Sequence, residues 1–234
     1  MSLTEKLFRP LLGLPARPLI TQYDDADGSR VELSRATVAN WAAKTANWLR
    51  DECDVEPGMP VSVALPAHWQ TVGVLLGAWW CGARVVTEPA GAAVAFVAPE
   101  AKAEGAELVA AVALDPLGRG LTGEPPAGIL DYLNEIRVFG DDFQPWQPVS
   151  GDTLALADYT VDHAIAEAQT RAAHHNFTAD SRIMSTMDWA DPDAVLTGLL
   201  SVLSSGAALV QCAHPDQTKL AARAETERTT HTLP

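Results

Sequence analysis

Val55-Glu56-Pro57-Gly58-Met59-Pro60-Val61-Ser62-Val63-Ala64-Leu65-Pro66, followed by Ala67 to Cys81, Gly82 and Arg84 to Thr87, is the stretch that decides the fold class. Pro57 and Gly58 break whatever helix precedes them. Val61 to Leu65 alternates as a strand does, and Pro66 ends it because proline has no N–H to give to a ladder. Ala67 to Cys81 is long and apolar enough for a largely buried helix, and Gly82 falls where a left-handed C-terminal residue belongs. Arg84 to Thr87 is then a second strand. A strand, a covering helix and another strand predict a crossover between parallel neighbours.

The alternation continues on both sides. Downstream, Val94 to Val97 predicts a third strand, Glu100 to Gly105 a short helix, and Leu108 to Leu114 a strand covered on both faces. Upstream, Leu19 to Tyr23 and Arg30 to Leu33 flank the turn residues Asp24 to Gly28 as a hairpin. Ser34 offers an N-cap, and Val38, Trp41, Ala42, Thr45, Trp48 and Leu49 recur at the three- and four-residue spacing of one helix face. Asp115 to Gly128 reads as a loop, Ile129 to Glu135 as a helix leading into Arg137-Val138-Phe139, and Gly140 to Pro148 as an irregular lobe boundary.

Beyond that boundary, strands are expected at Thr153 to Ala157, Arg182 to Thr186 and Ala207 to Gln211, and helices at Asp162 to His174, Asp193 to Ser204 and Gln217 to Arg228. The expected fold is α/β, with layered α/β/α lobes in a single unit over residues 1–234. The first lobe covers about 19–140 and the second about 150–234.

With 234 residues, 47% hydrophobic and 20% charged, and a mean hydropathy near zero, the chain has the makings of an ordinary globular core. Its net charge of −14 opposes phosphate backbones and anionic lipid, so neither nucleic acid nor membrane is an expected partner. No apolar run reaches the ~18 residues of a membrane span. Met1 to Pro10 lacks a basic segment followed by a long apolar one, which leads us to expect a cytoplasmic protein. Cys53, Cys81 and Cys212 are odd in number and far apart, as reduced structural thiols are. Only four lysines occur, Lys6, Lys44, Lys102 and Lys219.

The order of these pieces resembles the front end of the adenylate-forming (AMP-binding) superfamily of acyl-CoA synthetases, luciferases and peptide-synthetase adenylation domains. Those proteins carry "T-Y-x-E-L" at a helix start, then "G-V-x-x-G-D-x-V-x-I", "P-N-s-x-e-w" and "k-x-G-A-v-v-v-p-l". The corresponding text here is Val31-Glu32-Leu33, Val55 to Val63, Pro66-Ala67-His68-Trp69 and Trp79-Trp80-Cys81-Gly82-Ala83-Arg84-Val85-Val86. A later part, Ser181-Arg182-Ile183-Met184 with Leu199 to Val210, is similar to the superfamily's "d-r-v-l … l-l-x-x-L-x-x-G-a-x-v-V". Glu227 to His231 resembles the "y-x-v-T-h" after it. The whole is also similar to a small actinobacterial family of short proteins of this type. The resemblance implies the first half of the superfamily's large N-terminal domain.

It also implies where the chemistry would be. In acyl adenylation a carboxylate attacks the α-phosphate of ATP, and a Ser/Thr/Gly-rich loop ending in Pro-Lys-Gly holds the phosphates by its N–H groups and lysine. The equivalent place here is Ala155-Leu156-Ala157-Asp158-Tyr159-Thr160-Val161-Asp162-His163, which has no glycine or lysine. Asp158, Tyr159 and Thr160 mark the degenerate phosphate position, and Asp158 and Asp162 would oppose an anion. No lysine maps onto the family's lysine roles. The chain also stops before the segments that hold adenine, ribose and the catalytic lysine. The expectation is no cofactor, no catalytic residue and no metal.

Other groupings carry less. His174-His175 near Asp180 points two rings in different directions, as a solvated helix end does more readily than a metal site. His163 with Asp158, Asp162 and Glu167 reads as an acidic helix start, with an acid/base group as the alternative. Ser204-Ser205-Gly206 is not a nucleophile elbow, and Gly118 to Gly123 lacks the lysine of a phosphate loop. Helix spacing makes most of the first-lobe tryptophans core, but Trp79 and Trp80 are adjacent and cannot face the same way, so one of them is a candidate for a ligand or partner surface. Trp189 falls near the superfamily's acyl pocket and is the candidate for a retained contact.

The expected function is a non-catalytic binding or regulatory protein derived from an acyl-adenylating enzyme. The partners considered are a second copy or another protein on the face left open by truncation, or an acyl- or CoA-type ligand. The alternative is an acyl-CoA synthetase-like ligase whose ATP site another chain completes.

Overall fold

The computed structural model describes residues 1–234. A π turn, Thr4–Phe8, and a tight 3-10 turn, Arg9–Gly13, precede a hairpin of β1 (Pro18–Asp24) and β2 (Ser29–Ser34). Helix α1 (Arg35–Asp51) starts at Ser34, whose hydroxyl accepts from the Thr37 N–H. Strand β3 (Pro60–Ala64), helix α2 (Trp69–Trp80) and strand β4 (Arg84–Val86) form the expected crossover, with β3 and β4 parallel. Next come β5 (Val94–Val97), β6 (Leu108–Ala111), β7 (Ile129–Asp131) and the short helix α3 (Tyr132–Ile136). Strands β8 (Leu154–Leu156) and β9 (Tyr159–Thr160) lead into α4 (Val161–His174) and β10 (Arg182–Ser185). Helices α5 (Pro192–Val195) and α6 (Ser201–Ser205) are joined by a π turn at Leu196–Leu200, and β11 (Ala208–Ala213), α7 (Gln217–Glu227) and β12 (His231–Leu233) complete the order.

The strands form a seven-stranded sheet, β7-β6-β5-β3-β4-β8-β9, and a five-stranded sheet, β12-β10-β11-β1-β2. Neighbours are parallel except in the two hairpins, β1–β2 and β8–β9. The lobe division expected between residues 140 and 150 is not where the sheets divide. β1 lies beside β11, Ile20 opposite Leu209, so the N-terminal hairpin belongs with the last third of the chain. β8 lies beside β4, Leu156 opposite Val85, so it extends the earlier sheet. Leu19, Ile20, Thr21 and Gln22 are all buried, which demands cover on both faces of β1; local spacing says nothing of which strand supplies it. One cluster of 57 buried apolar side chains runs through both sheets, so the two are not separate cores.

Two local expectations also change. Residues 100–105 form no helix, because Ala101, Ala103 and Gly105 give no apolar stripe to bury. Ile129–Asp131 is an edge strand before α3, and Asp131 caps that helix by accepting from the Leu133 and Asn134 N–H groups. Arg137 to Phe139 starts a strap that lies along α1, where Lys44 donates to the Phe139 carbonyl, Asn47 to those of Gly140 and Asp142, and Arg50 to that of Gln144.

Helix α2 is buried at all twelve positions. It lies so close to α1 that a Cβ at Gly77 would sit 2.5 Å from Thr45 Cβ and 2.8 Å from the Ala42 carbonyl. On another side the Thr4 hydroxyl donates to the Leu76 carbonyl at 2.6 Å. The Met1 ammonium donates to the Val149 carbonyl, so the first residues are part of the packed structure. Between α1 and the larger sheet, Trp48, Phe96 and Tyr132 meet edge to face at 5.5 to 6.5 Å, and the Tyr132 hydroxyl is satisfied by Thr45 at 2.7 Å.

The outer face of the smaller sheet is covered by α7, whose apolar contact is confined to a small patch around Met184, Val210 and Cys212. Ion pairs do the rest. Arg223 donates to Asp25, and burial would raise the Glu227 carboxyl, but hydrogen bonds from Arg30, Tyr23 and Arg182 outweigh it and hold the group at about 2.

Gly77→Ala should lower stability by about 1–3 kcal/mol, the usual cost of overpacking against atoms that cannot move aside. Gly13→Ala, with nothing within 4 Å of the added carbon, should stay within about 0.5 kcal/mol. Urea unfolding of the two variants checks this, and equal midpoints would contradict the backbone contact.

Candidate functional site

In parallel α/β sheets the place for chemistry is beyond the carboxyl ends of the strands, where loops diverge. Here the loops after β3 and β10 meet at that end. Asp188 Oδ1 accepts from the Ala67 N–H at 2.7 Å and from the Trp189 N–H at 2.8 Å, so one carboxylate ties the two sheets together. Around this tie lie His68, Gln70, Trp189 and, at the same end of the smaller sheet, Gln22, Ser185 and Gln211.

His68 is the N-cap of α2 and accepts at Nδ1 from the Gln70 N–H. Burial pushes its pKa down to about 4, so the ring is neutral at physiological pH. Gln70 is buried with neither amide atom partnered. Gln22 and Gln211 are neighbours in the β1–β11 register and are also buried. Gln211 donates to the Met187 carbonyl at 2.9 Å, but the side-chain oxygens of both glutamines have no partner. The sequence reading missed this polar set. The available signal was a glutamine within the apolar run of β11, and Gln22 between Thr21 and Tyr23 in β1.

Trp189 does come to this end of the sheets. It is 3% exposed, and its indole lies flat enough on Gly198 that a Cβ there would be 2.6 Å from Nε1. Gly198 belongs to the π turn, a distortion often found beside functional sites. The slot that Trp189 shares with Val63, Leu65, Leu75, Val85 and Val195 has a cavity volume of about 10 Å³, the room of a single water. Trp189 forms one wall of the slot.

Asp158, Tyr159 and Thr160 are taken up by local structure. β8 and β9 are joined by a two-residue turn, Ala157-Asp158, with Ala157 left-handed at φ 45°. Arg84 at the start of β4 grips it, donating from Nε to the Ala157 carbonyl at 2.8 Å and pairing with Asp158 at 2.9 Å. The Ala157 N–H donates to the Val85 carbonyl. Tyr159 lies against the His163 ring at 4.8 Å, and the Thr160 hydroxyl caps α4 by accepting from the His163 N–H. Asp162 in the first turn of α4 pairs with Lys6 at 2.6 Å and occupies the space over Gly151, where a Cβ would meet its carboxylate at 2.1 Å.

Trp79 and Trp80 are both buried, at 1% and 6% exposure, which corrects the expectation that one would form a surface. Their opposite directions are used inside the molecule. Trp79 donates from Nε1 to the Ala155 carbonyl at 2.8 Å, and Trp80 packs on Phe143 at 5.8 Å. His174 and His175 lie 5.2 Å apart at the end of α4, with His175 stacked on Phe177. No three His, Cys, Asp or Glu side chains are placed to share a metal ion. Burial pushes the Cys53 and Cys81 thiols up to about 12, which makes both poor nucleophiles. No helix is long and apolar enough to cross a membrane.

No protein-family model matches the chain. A protein of Mycobacterium tuberculosis (strain ATCC 25618 / H37Rv) described as a TIGR03089 family protein is 43% identical over 228 residues, covering 94% of this chain and 92% of its own. Among solved structures, the Brucella canis acyl-CoA synthetase superimposes with a TM-score of 0.76 at 17% identity, over 99% of this chain and 47% of that one. The acetoacetyl-CoA synthetase of Streptomyces lividans gives 0.76 at 17%, over 99% and 42%. The Mycobacterium tuberculosis fatty acyl CoA synthetase gives 0.71 at 15%, over 99% and 48%. The chain thus spans about half the length of these synthetases, and at such identity the likeness is one of fold.

The neutral, buried His68 ties stability to pH. The unfolded chain takes up a proton on this ring near pH 6.5, whereas the folded chain resists until about 4. Its contribution is therefore full above pH 6.5 and shrinks as pH falls toward 4, by up to roughly 3 kcal/mol. His68→Asn keeps a capping acceptor without the titration. It should flatten the fall in unfolding free energy across that window, and an unchanged slope would mean the ring protonates freely in the folded state.

Proposed function

Because the chain belongs to the TIGR03089 family and has the fold of the N-terminal part of an acyl-CoA synthetase, we propose that it is a non-catalytic binding or regulatory protein built on the adenylate-forming framework. The observation that carries this reading is the two-residue turn between β8 and β9, pinned by Arg84. Holding a nucleoside triphosphate at that place takes several N–H groups converging on one point and a cation to offset the phosphates. The turn offers no such set of N–H groups, and the cation beside it, Arg84, is already held by the Ala157 carbonyl and Asp158. Its Ala157 N–H is spent on β4, and the side chain it presents, Asp158, is a carboxylate at 96% exposure.

Two further features favour the same reading. The N-terminus of α4, the next available anion position, already has its own Asp162 and the Thr160 hydroxyl. Three of the four lysines are already paired with carboxylates, Lys6 with Asp162, Lys44 with Asp141 and Lys219 with Asp25. The slot beside Trp189 has no room for an acyl chain as it stands, which argues against a remnant acyl carrier.

Carboxylate-dependent ATP–pyrophosphate exchange with fatty, aryl and amino acids tests the proposal. No exchange above the blank is expected, and Mg²⁺·ATP should not raise the melting temperature, whereas a ligand held at 100 times its Kd would add ~2.7 kcal/mol. Exchange by the chain alone would overturn the reading, and exchange appearing only on addition of cell extract would favour an enzyme completed by a partner.

A further inference from the structure

A second concavity lies at the opposite end of the larger sheet, where Pro57 and Cys81 precede β3 and β4. It has a volume of about 100 Å³ and is walled by Val55, Pro57, Phe143, Pro145 and Trp146 with Cys81 among its lining. Trp146 is 77% exposed, the opposite of the other tryptophans discussed above. It is nevertheless held in place. The Arg50 guanidinium lies 4.8 Å from the ring centroids of both Trp146 and Phe143, and is itself fixed by Gln144, Asn47 and Asp51. An exposed indole with one face braced and one face free is a ready contact surface.

The surroundings are acidic. Asp51, Glu52, Asp54, Glu56, Asp141 and Asp142 are all exposed near this groove. The cations beside them are already paired, Arg50 with Asp51 at 2.7 Å and Lys44 with Asp141 at 2.9 Å. Asp54 and Glu56 line the concavity together with Arg50, whose charge is met by Asp51. A notch with apolar walls and an uncompensated negative rim concentrates cations that carry an apolar stem, because the stem can lie on the walls while the head stays at the carboxylates.

We propose that this groove docks an extended basic segment of a partner protein, one arginine or lysine side chain entering between Pro57 and Trp146 with its head at Asp54 and Glu56. The volume admits one side chain and is well below the several hundred Å³ of a typical small-molecule site. The rest of the contact must come from the surface outside, where the same strap exposes Val138 at 85%. Prolines flanking the basic residue suit the groove, since extended proline-rich segments pack on aromatic and proline walls. The inference is independent of whether the cleft at the other end of the sheets is catalytic.

The test is a titration of the full chain with the acetylated, amidated peptide Pro-Pro-Arg-Pro-Pro, followed by the indole N–H resonance of Trp146, which Trp146→Phe assigns by its loss. A saturable shift below about 10 mM is expected. The peptide with glutamate in place of arginine should give none. The double variant Asp54→Asn, Glu56→Gln should weaken binding by about tenfold with an unchanged melting temperature. Absence of a saturable shift, an equal response to the glutamate peptide, or unaltered affinity in the double variant would overturn the proposal. So would N-acetylarginine amide alone binding as tightly as the peptide, because the ligand would then be a small molecule.

Discussion

The contact between α1 and α2 at Gly77 is the constraint on which the other packing depends. With no side chain there, the backbone of α2 rests on Ala42 and Thr45, and a helix buried at every position can sit between the two sheets. Each neighbour of α2 then takes a place fixed by it. The N-terminal turns cover one side through Thr4, the smaller sheet another through Ile20 and Leu209, and α1 presents its outer Lys44, Asn47 and Arg50 to the strap. A helix without a polar face has no alternative orientation toward water, so its surroundings must close on it completely.

Where the sequence was legible, the signal was local. Strand alternation, the Ser34 cap and the proline and glycine stops located β1 to β4, α1 and α2 to within a few residues. The lobes were not legible, because the partners of β1 and β8 are chosen by burial on distant faces. The strap was not legible for a related reason: its carbonyls are taken by side chains of α1 from far along the chain, which local composition does not show.

For the candidate site, the sequence supplied the chemistry that is missing and the structure supplied its replacement. Residues 155–163 lack glycine and lysine, which a reader of the sequence can see. That Arg84, 73 positions earlier, fastens the resulting turn could not be seen, since an arginine at a strand start has many uses. The tryptophan pair gives the converse lesson. Adjacent rings on a helix do point apart, yet a helix enclosed on all sides buries both.

The pairing of β1 with β11 also shapes how the chain must come together. A strand within the first 24 residues waits for one within residues 208–213, and the Met1 ammonium waits for Val149. The edge of β1 that faces β11 has no strand to pair with until residues 208–213 are in place. Such long-range parallel closure is intrinsically slow and leaves apolar edges exposed in the interval. The strands of the larger sheet all lie within residues 60–160, whereas the five-stranded sheet joins residues 18–34 to residues 182–233.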